Sequence, residues 1–173
     1  ITTPSVGISS SGEGSAGEHL TAQAFTPDRS YATGRTTGYL YSCGANEARW
    51  EVVCTEPHFA HLWGLSNGNL LGYTENPDYT EPRLYVSTDS GRTFTLVIDH
   101  FAGTGPVRFS EPGYFSMWAI GEGRNGAVLA VEYGSRIQPG DPPARGNLIF
   151  YSADYGQTWT VIWDQRIMLP NYW

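Results

Sequence analysis

The chain has 173 residues, a net charge of −7 and 14% aromatic residues, with 21 Gly and 11 Pro. That length suffices for a real hydrophobic core. No run of Lys and Arg is present to displace counterions from nucleic acid, and no apolar run approaches the roughly 20 residues that span a bilayer, so neither a nucleic-acid partner nor a membrane span is expected. Six Trp, eleven Tyr and seven Phe suit pleated, half-buried surfaces, Gly and Pro punctuate turns, and no stretch has helical periodicity. An all-β fold is expected. The sequence begins at Ile1 rather than Met, as a processed, trimmed or partial chain does.

In chain order, residues 1–17 are rich in Ser and Gly and read as an arm or linker. Residues 18–56 hold a degenerate unit. Tyr39-Leu40-Tyr41-Ser42 and Arg49-Trp50-Glu51-Val52-Val53 read as strands around a polar turn, Gly44-Ala45-Asn46-Glu47. Cys43 and Cys54 flank that turn. Their spacing suits a cross-strand disulfide, or else two buried free thiols.

Residues 57–112 and 113–173 then repeat one pattern. Ser87-Thr88-Asp89-Ser90-Gly91-Arg92-Thr93-Phe94 and Ser152-Ala153-Asp154-Tyr155-Gly156-Gln157-Thr158-Trp159 both read S-x-D-x-G-x-T-aromatic. Leu84-Tyr85-Val86 and Ile149-Phe150-Tyr151 precede them, and Thr95 to Asp99 and Thr160 to Asp164 follow. Upstream, Gly68-Asn69-Leu70-Leu71-Gly72-Tyr73 parallels Gly126-Ala127-Val128-Leu129-Ala130-Val131. Each unit reads strand, turn, strand, long loop, strand, turn, strand, which is a four-stranded antiparallel meander of the kind that forms a propeller blade. The long loops are placed at residues 74–82 and 132–146, the second interrupted by Pro139, Pro142 and Pro143. Met168-Leu169-Pro170-Asn171-Tyr172-Trp173 reads as the start of another strand.

The eight-residue turn has a mechanism. Asp89 and Asp154 accept from backbone amides that the turn leaves unpaired, Gly91 and Gly156 permit a positive φ, Ser87, Ser152 and the Thr hydroxyls close local bonds, and Phe94 and Trp159 anchor the turn in the apolar layer. All of these roles are structural. The two segments resemble the Asp-box, or BNR, repeats of the sialidase-like β-propeller superfamily, over about residues 57–164. The resemblance implies propeller-like blades, two clear and a third in the degenerate unit, with the boxes at the outer edge and no catalytic role for Asp89 or Asp154. It also implies a sialidase site of three arginines, a Tyr–Glu pair and an acidic residue, but the arginine-bearing motif near the start, of the type Phe/Tyr-Arg-Ile-Pro, is missing here.

Glycosidase chemistry needs two carboxyl groups at a set separation. The candidates are Glu75, Asp78 and Glu81 in the first long loop and Glu132 and Asp141 in the second; the alternative is that these are solvated loop charges. His58, His61 and Trp63 fall in a unit's first strand, the one that lines a propeller channel. The odd spacing of the two His points them to opposite faces, so they do not chelate one metal. One is a candidate ligand donor, or a His satisfied by backbone. Tyr73, Tyr79, Trp118, Tyr133 and Tyr151 have the apolar bodies and polar tips that stack on sugars, or else fill core. No phosphate loop, zinc spacing or Ser/His/Asp set appears, so neither metal nor cofactor is expected.

The expectation from sequence is therefore a non-catalytic recognition or structural module, extracellular or on a cell or virion surface, that binds a glycan or a partner protein. The alternatives are a fragment of a sialidase-like glycoside hydrolase and a purely architectural subunit. Closed propellers take four to eight blades. Self-association, or the remainder of a longer chain, is expected to complete the ring; otherwise this is a small sheet domain that borrows the box.

Overall fold

The computed structural model describes residues 20–47, 49–74, 83–99, 115–136 and 144–165. Among these residues, twelve strands form three four-stranded sheets. The first contains β1 (Leu20–Phe25), β2 (Arg29–Gly34), β3 (Leu40–Gly44) and β4 (Glu51–Cys54). The second contains β5 (His61–Gly64), β6 (Leu70–Thr74), β7 (Arg83–Ser87) and β8 (Thr95–Asp99). The third contains β9 (Phe115–Glu122), β10 (Val128–Arg136), β11 (Ala144–Ser152) and β12 (Thr160–Asp164). Every neighbouring pair is antiparallel and consecutive in sequence, so each sheet is a simple meander. The fold is all-β and propeller-like.

Alternation along the strands decides how the sheets stack. Leu70 faces the first sheet, where it packs with Ala24, Tyr31, Leu40 and Leu62. Leu71, the next residue, faces the third sheet, and with Tyr73, Leu84, Val86 and Ile98 it meets Val128, Ala130, Leu148, Phe150 and Trp159. The second sheet is thus covered on both faces, which explains the unbroken Leu70-Leu71-Gly72-Tyr73 run. The inner strands approach closely. A Cβ added to Gly64 of β5 would lie 1.8 Å from the Phe25 carbonyl oxygen of β1, so only glycine lets these two backbones meet.

The two S-x-D-x-G-x-T turns are built alike. Asp89 Oδ1 accepts from the amides of Arg92 (3.1 Å) and Thr93 (2.9 Å), and Oδ2 accepts from the Thr93 hydroxyl (2.7 Å). Asp154 accepts from Gln157 (3.1 Å), Thr158 (2.9 Å) and the Thr158 hydroxyl (2.6 Å) in the same way. Ser87 and Ser152 each accept from the turn glycine amide at 2.9 Å. Those glycines have φ of 82° and 81°. Each turn rests on the preceding sheet: a Cβ on Gly91 would lie 3.1 Å from Leu40, and one on Gly156 would lie 2.7 Å from Leu71. Trp159 is buried in the second core and donates to the Gly156 carbonyl at 2.8 Å, while Phe94 packs on Phe59 with ring centroids 4.4 Å apart.

These turns make stability pH-dependent. Burial raises the Asp89 pKa, but the Thr93 hydroxyl and amide, the Ser87 hydroxyl and the Arg92 amide outweigh it and hold the carboxyl below its ordinary 3.8, at about 2. Asp154 is lowered too: burial raises it, and the corresponding bonds from Thr158, Ser152 and Gln157 overcome that. A folded pKa below the unfolded one stabilises above the unfolded value, and the gain is lost as pH falls through the folded value. The melting temperature is therefore expected to be flat just above pH 4 and to drop between about pH 4 and 2. Thermal unfolding of Asp89→Asn across this range checks it. The variant's drop should be shallower, and a drop identical to the parent's would remove Asp89 as its source.

In the first sheet the equivalent turn uses different groups. Glu47 Oε2 accepts from the Gly44 amide at 2.7 Å, and Arg29 lies 3.6 Å from Glu47 and 3.3 Å from Glu51. The expected Cys43–Cys54 disulfide is corrected: both thiols are free. The register is the reason. Cys54 stands opposite Leu40, three residues along β3 from Cys43. At about 3.3 Å per residue this offsets the pair by roughly 10 Å along the strands, more than a disulfide spans. Cys43 instead donates to the Glu47 carbonyl at 3.1 Å and Cys54 to the Glu56 carbonyl at 2.9 Å.

Candidate functional site

The three inner strands, β1, β5 and β9, converge on a groove of about 280 Å³. Gln23, Phe25, Trp63, Gly64, Ile120 and Glu122 are among the residues that line it. Phe25 is 67% exposed there. Glu122 ties the second and third sheets together at this end, accepting from the Ser66 amide at 2.8 Å and from the Ser66 hydroxyl.

Away from the turn end, an aromatic ladder continues along β5. His61 and Trp63 are two residues apart and share a face, with ring centroids 5.9 Å apart. Across the sheet His61 is opposite Tyr73, with ring centroids 6.3 Å apart. Tyr73 is buried, and its hydroxyl donates to Glu132 Oε1 at 3.3 Å, across the interface between the second and third sheets. Glu132 has no solvent exposure. Its place on β10 corresponds to Thr74 in the second sheet, a half-buried position with no charge. Burying a carboxyl group costs stability even when it is hydrogen-bonded, and packing alone would favour an apolar residue.

The placement of Glu132 corrects the loop reading. β10 runs on to Arg136 and β11 resumes at Ala144, so Glu132 is an inward strand residue rather than a loop charge. Val131, Glu132 and Tyr133 already alternate between faces, and the strand stops short of the Pro139 to Pro143 segment, whose prolines lack ladder donors. Tyr73 is also corrected as a stacking surface, because its ring is fully buried. His58 precedes β5 rather than belonging to it. It is exposed, 3.4 Å from Glu56, with its ring over Gly38. Tyr133 is half-buried on β10, and Tyr151 is exposed on the outer face of the third sheet. Glu75, Asp78, Tyr79, Glu81, Asp141 and the side chain of Trp118 lie outside the described residues. The structure thus brings His61, Trp63, Tyr73 and Glu132 together. Sequence reasoning missed Phe25 and Glu122; Phe25 stands in a strand without bulky alternation, Leu20–Phe25, and had no repeat partner to point to it. Among the described residues, no group of His, Cys, Asp and Glu is arranged to hold a metal ion.

No protein-family model matches the chain, and no curated protein matches it. Solved structures do. One is an α-L-arabinanase from Penicillium chrysogenum complexed with arabinobiose, at 16% identity and a TM-score of 0.45; the match covers 82% of this chain and 48% of that one. Another is an α-L-arabinofuranosidase from Fusarium graminearum with an iminosugar inhibitor, at 13% identity and a TM-score of 0.45, covering 83% and 48%. These are likenesses of fold, and this chain spans about half the length of the structures it matches. They correct the expectation of a non-catalytic recognition or structural module: the proteins of like fold are glycoside hydrolases.

Proposed function

We propose that the chain is part of a glycoside hydrolase built on a propeller of the Asp-box, sialidase-like type, with units at residues 18–56, 57–112 and 113–173, acting outside the cell or at a cell or virion surface. The observation that carries the reading is Glu132, a carboxyl group held inside the sheet interface at a cost in stability, beside Tyr73 and the His61–Trp63 ladder. Groups placed against their own solvation preference concentrate at functional sites. Glu132 supplies one of the two carboxyl groups that glycoside hydrolysis requires. The sequence offers Glu75, Asp78, Glu81 and Asp141 as the second. His61 and the half-buried Trp63 provide the ring surface that orients a sugar.

The experiment is turnover of chromogenic glycosides by the intact protein, on a panel that includes α-L-arabinofuranosides and sialosides. The reading expects turnover of at least one member and its loss in Glu132→Gln. No turnover across the panel would sink it.

A further inference from the structure

Asn-Gly stands at equivalent places in two of the repeated units. Asn67-Gly68 lies in the turn from β5 to β6, and Asn125-Gly126 lies in the turn from β9 to β10. Asparagine is chemically labile, and a following glycine leaves its own amide nitrogen uncrowded for attack on the Asn side chain. By sequence the two sites are equal; in the fold they are not. Both Asn residues are exposed. At Gly68 a Cβ would meet nothing within 4 Å, so this peptide has open space around it. Asn67 Oδ1 accepts from the Asn69 amide at 3.0 Å, which polarises Cγ and holds it in the turn. One turn hydrogen bond, from the Gly68 amide to the Leu65 carbonyl at 3.0 Å, opens to release the attacking nitrogen. At Gly126 the peptide is clamped. Gly126 is buried, a Cβ there would lie 2.5 Å from the Tyr155 ring, and the Tyr155 amide donates to the Gly126 carbonyl at 2.9 Å.

We propose that Asn67 is a site of spontaneous deamidation, that the Tyr155 clamp protects Asn125 from the same reaction, and that the modification loosens the contact between the second and third sheets. The Gly68 amide nitrogen gives up its proton and bonds to Asn67 Cγ. The bond from Cγ to the side-chain nitrogen breaks, and ammonia leaves with a proton. Water then opens the cyclic imide. Addition at Cγ breaks the new bond to the Gly68 nitrogen and leaves an aspartate. Addition at the main-chain carbonyl breaks the original peptide bond and leaves an isoaspartate, whose chain runs through Cγ. The net change is one ammonia lost and one water gained, with no oxidant or reductant. The product acts on a named contact. Ser66, the residue before, gives its amide and its hydroxyl to Glu122, which ties the second sheet to the third. A carboxylate on the next residue adds a like charge beside this contact. An isoaspartate also lengthens the main chain by a methylene just after Ser66. This inference does not depend on the hydrolase reading.

The test is to hold the intact protein at mildly alkaline pH, folded and in parallel unfolded in urea, and to follow both sites by mass spectrometry of the digested samples. In the folded protein Asn67 is expected to deamidate at least about tenfold faster than Asn125, the effect of one further contact that has to open. In urea the two rates are expected to converge. Equal rates in the folded protein, a faster Asn125, or no reaction at Asn67 overturns the proposal. Rates that stay apart in urea overturn it too, because local sequence rather than the clamp would then set them. The effect on the sheet contact has its own measurement. Asn67→Asp carries the charge without the reaction and is expected to lower the melting temperature, and adding Glu122→Gln is expected to recover the loss. An unchanged melting temperature in Asn67→Asp, or a loss that Glu122→Gln does not recover, overturns the proposed loosening by charge.

Discussion

Glu132→Gln is expected to lower glycoside turnover by about 10²- to 10⁴-fold, the contribution of one acid–base group, or more if Glu132 is the nucleophile. The substitution keeps shape and volume and lets an amide oxygen accept from the Tyr73 hydroxyl, which Glu132 now accepts from at 3.3 Å. Packing therefore survives, and only the ionisable group is lost. A neutral amide is also cheaper to bury than a carboxylate. Unfolding should show a stability equal to the parent's or higher, while turnover collapses. This opposite movement separates a chemical role from a structural one: a residue that serves only packing would change stability and leave the rate per folded molecule unchanged. An unchanged rate in a folded Glu132→Gln protein would remove Glu132 from the chemistry.

Gly64→Ala is expected to cost about 3 kcal/mol or more, the upper end of overpacking effects. The added Cβ would sit 1.8 Å from the Phe25 carbonyl oxygen, 2.4 Å from its carbonyl carbon and 3.0 Å from the Thr26 amide nitrogen. These are backbone atoms of β1 and of the turn after it, so no side-chain rotation relieves the clash. Either β1 and β5 separate, opening the Ala24–Leu62–Leu70 core, or the first sheet tilts as a body. Thermal unfolding should show a fall in melting temperature on the order of 10 °C. A change within about 2 °C would show that the two inner strands do not approach at this point. Gly68 serves as a control for backbone strain, because its φ is 93° but a Cβ there meets nothing within 4 Å.

How much of this was legible in the sequence depended on which residues repeat. The second and third sheets announce themselves because Asp89 and Asp154, with their Ser, Gly and Thr partners, solve the same turn with the same bonds. The first sheet was visible only in its outer half. β1 and β2, Leu-Thr-Ala-Gln-Ala-Phe and Arg-Ser-Tyr-Ala-Thr-Gly, are built from small and polar residues, and Ala32 and Thr33 are buried without any bulky alternation to signal it. The cysteine pair misled because spacing around a turn says nothing of register, and here the register sets Cys54 against Leu40. For the site, the sequence supplied the right types and not their placement. His61 and Trp63 were singled out on a first strand and share its face, whereas Tyr73 and Glu132 meet across two sheets, and no local pattern encodes a contact between residues 59 positions apart. Where Glu132 sits inside β10 followed from how far a strand continues before proline stops it, which alternation past Val131 could have shown.

The contact between Tyr73 and Glu132 is the point at which stacking of the sheets becomes a site. A double-mutant cycle measures it without knowledge of the substrate. Tyr73→Phe, Glu132→Leu, which removes the acceptor at similar volume, and the pair together would be compared by equilibrium unfolding in urea. If the hydroxyl and the carboxyl group meet between the second and third sheets, the two effects are not additive, and the coupling is about 0.5 kcal/mol or more. Additivity to within about 0.3 kcal/mol would mean that the groups do not share a contact, and the arrangement on which the proposed chemistry rests would be contradicted.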